Sequence, residues 1–89
     1  MQITACKLLI NGIVQGVGFR PTVYKVATAL SLSGWVRNTS FGVEVILATE
    51  DSTDFIQQLE LSLPALASLD SVDCTKITLD EKPHDFQIL

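Results

Sequence analysis

The run Gln15-Gly16-Val17-Gly18-Phe19-Arg20 holds the residue types that could do chemistry in this chain. Glycine takes positive φ freely, so Gly16 and Gly18 let successive backbone N–H groups converge on one point. A helix following the loop adds unpartnered N–H donors and the positive end of its dipole. A phosphate or similar oxyanion placed there is held by several N–H bonds. Arg20, at the helix entrance, can grip two phosphate oxygens at once, which a lysine does less well. Taken alone, such a loop is more often a plain glycine turn capped by an exposed arginine.

Other glycine-loop chemistries fail on residues. A dinucleotide fingerprint needs a third glycine where Pro21 stands, and a Walker loop needs a Gly-Lys-Ser/Thr triplet that the chain lacks. An RNA-recognition sheet needs aromatic-rich central strands, which are missing too. His84 is the only histidine and reads as a solvated loop residue. Asp80 and Glu81 read as a solvated turn. Trp35 and Phe41 read as packing residues, although Phe41 falls near enough to the expected site to touch a bound acyl group. Cys6 and Cys74 have no histidine partner by spacing and make neither a disulfide scaffold nor a metal site. Each lies in a strand-like run and reads as a small buried hydrophobe.

Charge supports an anion site in one half of the chain. The net charge of −4 argues against general affinity for nucleic acid. Yet all ten acids fall from Glu44 onward, while Lys7, Arg20, Lys25 and Arg37 precede it. A small anionic ligand therefore finds its field in the first half. Chance clustering in a short chain weighs about equally on this fact alone.

The elements that must position the loop follow from periodicity. With 89 residues, 47% hydrophobic and 18% charged, the chain fits one compact domain, 1–89, with two layers. No apolar run approaches the ~18 residues of a membrane span, and no secretory signal opens the chain. The expected location is the cytoplasm. Residues 3–10 read as a strand and lead to the loop with Gly12, Gly16 and Gly18. Pro21 suits the first turn of a helix, and Val23, Val26, Ala27 and Leu30 give that helix an apolar face. Ser31 to Gly34 end it. Residues 35–39 form a second strand, 40–42 a turn and 43–48 a third strand. Glu50-Asp51-Ser52 starts a second helix with Phe55, Ile56, Leu59 and Leu63 on its apolar face, and Pro64 stops it. Residues 71–79 form a fourth strand. Lys82-Pro83-His84 is a loop, and 86–89 a short edge strand.

This order is β-α-β-β-α-β with a terminal strand, the ferredoxin-like split βαβ pattern of an α+β fold, with two helices on one face of an antiparallel sheet. In that pattern the first two strands run parallel with another strand between them. Their C-terminal ends share one edge. The glycine loop follows one of those ends and Asn38 lies near the other, so both are expected on one rim. By itself, Asn38 reads as a turn residue.

Gly12-Ile13-Val14-Gln15-Gly16-Val17-Gly18-Phe19-Arg20 resembles the acylphosphatase signature. So does Gly34-Trp35-Val36-Arg37-Asn38-Thr39, followed by Gly42-Val43-Glu44. Both motifs and the element order agree, over essentially the whole chain. The resemblance implies hydrolysis of carboxyl-phosphate anhydrides with neither metal nor cofactor. It makes Arg20 the phosphate-binding arginine and Asn38 the residue that orients the attacking water, with the N–H groups of Gln15, Gly16, Val17, Gly18, Phe19 and Arg20 completing the cradle. A narrower likeness joins Gly18-Phe19-Arg20-Pro21, Val23-Tyr24, Ala27, Leu63 to Ala67 and Asp70-Ser71-Val72. These are similar to the N-terminal domain of the hydrogenase-maturation carbamoyltransferases, the HypF family. Free-standing acylphosphatases more often carry a bulky residue at the place of Gly18 and lack Pro21. The larger enzymes use carbamoyl phosphate and carry zinc-finger and catalytic domains after this one, which are absent here. The expectation is an excised domain of such a parent chain, with a free-standing small acylphosphatase as the alternative. A binding module for acyl phosphates with little turnover is a further alternative, and an RNA-binding domain of the same fold suits neither the charge nor the strands.

Overall fold

The computed structural model describes residues 2–89. Its elements are β1 (Ile3–Ile13), α1 (Phe19–Ala29), β2 (Gly34–Thr39), β3 (Gly42–Leu47), α2 (Thr53–Leu61), β4 (Ser68–Leu79) and β5 (Phe86–Ile88). The sheet order is β4-β1-β3-β2-β5. β1 and β2 both pair antiparallel with β3, so they run parallel to each other on either side of it. The expected ferredoxin-like α+β fold is therefore present. One correction concerns the sheet, which is mixed because β5 pairs with β2 in parallel.

Alternation builds the layer between sheet and helices. Leu8 faces Val45 and Ile10 faces Val43 across β1 and β3, while Val36 of β2 lies opposite Val45. These side chains point to the helices and are fully buried. From α1 they meet Phe19, Val23, Val26 and Ala27, spaced at i, i+4, i+7 and i+8. Phe55 and Leu59 come from α2 and Phe86 from β5. Each fully buried Leu, Val or Phe contributes about 1.5–3 kcal/mol relative to exposure.

On the other face of the sheet, Glu44 is 7% exposed. Arg37 Nε donates to its Oε2 at 2.5 Å, and Lys7 Nζ lies 3.7 Å from Oε1. A buried carboxylate needs such partners, because an unpaired charge out of water is costly.

Several element boundaries differ from the sequence expectation. β1 runs on to Ile13, because Gly12 and Ile13 pair with Leu69 and Ser68 of β4 beyond a register shift at Asn11. For the same reason β4 begins at Ser68, not at residue 71. α1 begins at Phe19, which makes Pro21 its third residue; the N–H that proline lacks is still one the helix cannot use. Ser31 takes the left-handed turn that ends α1, with φ 58°. Gly34 belongs to β2 instead of the helix end. A Cβ there would lie 1.9 Å from the Ile46 carbonyl oxygen, so β2 can pack this closely only with glycine. α2 stops at Leu61, ahead of Pro64, and Leu63 packs against the core from outside the helix.

The start of α2 gives a pH-dependent prediction. Its N-cap residue, Ser52, makes no side-chain cap bond. Asp51 takes that role: its Oδ1 accepts the Thr53 hydroxyl at 2.6 Å and the Thr53 N–H at 2.9 Å. The Thr53 hydroxyl, and then its N–H, hold the Asp51 carboxyl below the usual aspartate value. A carboxyl lowered in the folded state stabilises the fold above its unfolded value, and this contribution is lost as pH falls through the lowered one. The urea midpoint of the wild type should therefore drop more between neutral and strongly acid pH than that of Asp51→Asn. Parallel pH profiles for the two proteins would show the cap to be unimportant.

Candidate functional site

The loop between β1 and α1 is pinned by alternate side chains. Val14 and Phe19 are buried and Val17 is half-buried against the core. Gln15, Gly16 and Gly18 are left exposed between them. Gly16 has φ 73° and Gly18 has φ 78°, so the chain turns twice through the left-handed region. Turns of this kind can aim neighbouring N–H groups at one point, the geometry in which backbone binds anions. Among the described residues, no backbone carbonyl accepts from the N–H groups of Gln15 to Arg20. The first bond of this segment runs from Thr22 N–H to the Gly18 carbonyl, and the Thr22 hydroxyl donates to the same oxygen at 3.0 Å. Phe19 thus serves as an anchor through its ring, and only its N–H is available to a ligand.

The two glycines serve conformation rather than space. A Cβ on either would meet nothing within 4 Å. Asparagine tolerates the left-handed region, whereas a β-branched residue is strained there by about 1–2 kcal/mol. Gly18→Asn should accordingly unfold in urea close to wild type, and Gly18→Val should lose about 1–2 kcal/mol. Equal losses would show that steric room, not φ, governs the position.

Arg20 is tied to the strand that carries Asn38 through a third residue that the sequence gives no sign of. Arg20 is half-buried, and its Nη1 donates to the Leu89 carbonyl oxygen at 3.3 Å. Leu89 N–H donates in turn to the Val36 carbonyl at 2.9 Å. Asn38 stands two residues beyond Val36 on β2, hence on the same, helix-facing side of the sheet. It is exposed at the rim, opposite Val43. The end of β1, the first turn of α1, the end of β2 and the residue after β5 thus meet at one edge. The ion pairs among the described residues, Arg37–Glu44 and Lys7–Glu44, leave Arg20 out. Its contact with Leu89 could have been anticipated only from the parallel docking of β5 on β2, since 69 residues separate the partners.

The remaining candidates lie elsewhere. Phe41 is 77% exposed on the β2–β3 turn and lines a shallow groove with Lys7, Leu9, Arg37 and Glu44. That groove belongs to the open face of the sheet, whereas Asn38 faces the helices. His84, Asp80 and Glu81 are exposed. Cys6 is buried as expected, but Cys74 is exposed, because β4 is an edge strand with β1 as its single neighbour. Both thiols are free. No group of three or more His, Cys, Asp or Glu side chains among the described residues is arranged to hold a metal ion. No described helix is long and apolar enough to cross a membrane.

Comparison with known proteins places the chain in a family context. The acylphosphatase family model matches residues 6–88. The chain is 39% identical over 85 residues to the probable carbamoyltransferase HypF of Methanocaldococcus jannaschii, covering 93% of this chain and 11% of that protein. It is 38% identical over 85 residues to the acylphosphatase of Chlorobaculum tepidum, covering 92% of this chain and 91% of that one. Among solved structures, full-length HypF in a phosphate- and nucleotide-bound form superposes with a TM-score of 0.83 at 33% identity. That match covers 100% of this chain and 12% of the HypF chain. The chain therefore spans about a tenth of the HypF relatives it resembles, and most of the length of the small acylphosphatase.

Proposed function

The chain belongs to the acylphosphatase family, and on that premise we propose that it hydrolyses small acyl phosphates at the rim formed by Gln15–Arg20 and Asn38. One observation carries this reading. The Arg20 guanidinium is tied through Leu89 to Val36, on the strand that carries Asn38, beside a loop of N–H groups without backbone acceptors.

The chemistry asks little of the protein beyond position and charge. A carboxylate or carbamate leaves readily, so the barrier is met mainly by placing reactants and neutralising the phosphoryl oxygens. Arg20 and the loop N–H groups bind those oxygens. The Asn38 amide accepts from water through its oxygen and donates through its nitrogen, but is too weak a base to take a proton fully. Water held there attacks phosphorus in line. The carboxylate or carbamate departs with the bonding electron pair, and no covalent enzyme intermediate forms. In this mechanism the N–H groups and Arg20 supply the positive charge, and no metal ion is required.

Carbamoyl phosphate is the substrate we infer within the class. Gly18 followed by Pro21 supports it, as does the likeness to the HypF relatives. Overall identity does not separate the two branches, since 39% to a HypF and 38% to an acylphosphatase are equivalent. The same likeness suggests that further domains of a larger parent are natural neighbours of this one.

Release of phosphate from carbamoyl phosphate and benzoyl phosphate tests the reading. Sustained turnover of both by the 89-residue chain, unchanged by a chelator, is the expected result. Binding of phosphate without turnover would make the chain an oxyanion-binding module. Loss of activity on chelation, with rescue by magnesium, would overturn the metal-free mechanism.

A further inference from the structure

Cys6 and Cys74 lie on neighbouring strands and play no part in the mechanism above. In the β1–β4 register, Cys6 stands opposite Lys76 and Leu8 opposite Cys74. The two cysteines are thus diagonal neighbours on the same, helix-facing side of the sheet. They differ in access. Cys6 is 1% exposed, whereas Cys74 is open to solvent on the edge strand. The buried Ser52 hydroxyl lies 3.7 Å from the Cys74 sulfur and fixes its orientation. Burial pushes the Cys6 thiol up, and the adjoining Cys74 thiol pushes it further the same way.

We propose that Cys74 and Cys6 form a redox pair, in which exposed Cys74 reacts with a low-molecular-weight disulfide and buried Cys6 resolves the product into a β1–β4 cross-link. The Cys74 thiolate attacks one sulfur of the small disulfide. That S–S bond breaks, and one half leaves as a thiolate that takes a proton from water. Cys6 then gives its proton to solvent, and its sulfur attacks the Cys74 sulfur, expelling the second half as a thiol. Two protein thiols are oxidised, and one small disulfide is reduced to two thiols. Lys76, facing Cys6, offers a cation to an anionic disulfide such as glutathione disulfide.

The same geometry makes the cross-link reversible. Diagonal cross-strand neighbours have Cα atoms about 7–8 Å apart, beyond the ~7 Å that a disulfide spans without backbone movement. Closing the bond requires a local backbone shift of edge strand β4 against β1, and a strained disulfide is more readily reduced. Such strain favours the dithiol, so the pair closes only under oxidising conditions.

The folded protein is incubated with glutathione disulfide, quenched in acid and denatured, and intact-mass analysis and thiol titration of the denatured chain then test the proposal. Wild type should lose both titratable thiols and the mass of two hydrogens, with Cys6 and Cys74 linked in one peptide pair after digestion. Excess reduced glutathione should restore both thiols. Cys6→Ala should stop at one added glutathione on Cys74, and Cys74→Ser, at an exposed position that does not threaten folding, should gain nothing. Wild type that stops at the mixed disulfide, keeps both thiols, or stays closed in reduced glutathione would overturn the pair.

Discussion

Replacing Arg20 with glutamine should cut kcat/KM for benzoyl phosphate by about 10²-fold or more, while the protein melts as wild type does. That factor is roughly 3 kcal/mol of transition-state stabilisation. The guanidinium is the formal positive charge at the rim, and its planar fork can hold two oxygens as negative charge spreads over the phosphoryl group. Glutamine keeps some hydrogen bonding and loses both the charge and the fork. Arg20 is half-buried on the first turn of α1 and joins no ion pair among the described residues. Its hydrogen-bond partner, the Leu89 backbone oxygen, is on an exposed residue, so its removal leaves no buried group unpaired. Arg20→Lys should recover only part of the loss, since a point charge cannot match the fork. Inorganic phosphate should inhibit Arg20→Gln more weakly than wild type, because ground-state binding is lost as well. Near wild-type turnover in folded Arg20→Gln would remove the site assignment.

Asn38→Ala should lower kcat by about 10²-fold and leave KM almost unchanged. The split between the two constants is the informative part. A residue that orients water acts on the chemical step and contributes little to holding the acyl phosphate. Asn38 is exposed at the end of β2, and its loss opens no cavity in the core. Asn38→Asp should also be slow, because a carboxylate there repels the phosphate that Arg20 attracts. A raised KM with normal kcat in Asn38→Ala would make it a binding residue instead. Steady-state kinetics on both variants, with circular dichroism melts beside them, decide the matter.

The two predictions rest on parts of the molecule that were legible to different degrees. The i, i+4, i+7 spacing of Phe19, Val23 and Val26 and the alternation of Leu8, Ile10, Val43 and Val45 show in the residues themselves. They placed both helices and the inner strands, because burying one face is a local rule with a fixed period. Boundaries were less legible. Gly12 looks like part of a loop until β4 pairs with it, and Gly34 looks like a helix stop until Ile46 presses against it. In both cases the deciding partner lies far along the chain.

Exposure of Cys74 has the same origin. Its run reads as a buried strand, but the run does not say that β4 sits at the sheet edge. Asp51 in place of Ser52 as the cap of α2 depends on side-chain geometry that either sequence position would have allowed.

By itself, then, the sequence determined the order of elements, the two left-handed glycines of the β1–α1 loop, the arginine at its end and an acid-free first half around them. Those follow from local propensity, periodicity and charge, which act between near neighbours. Tertiary structure alone decided that Asn38 faces the helices, that β5 docks in parallel on β2, and that the Leu89 carbonyl holds the Arg20 guanidinium. Strand register and chain crossing set these, and both are long-range: a shift of one residue in β2 would turn Asn38 to the opposite face of the sheet.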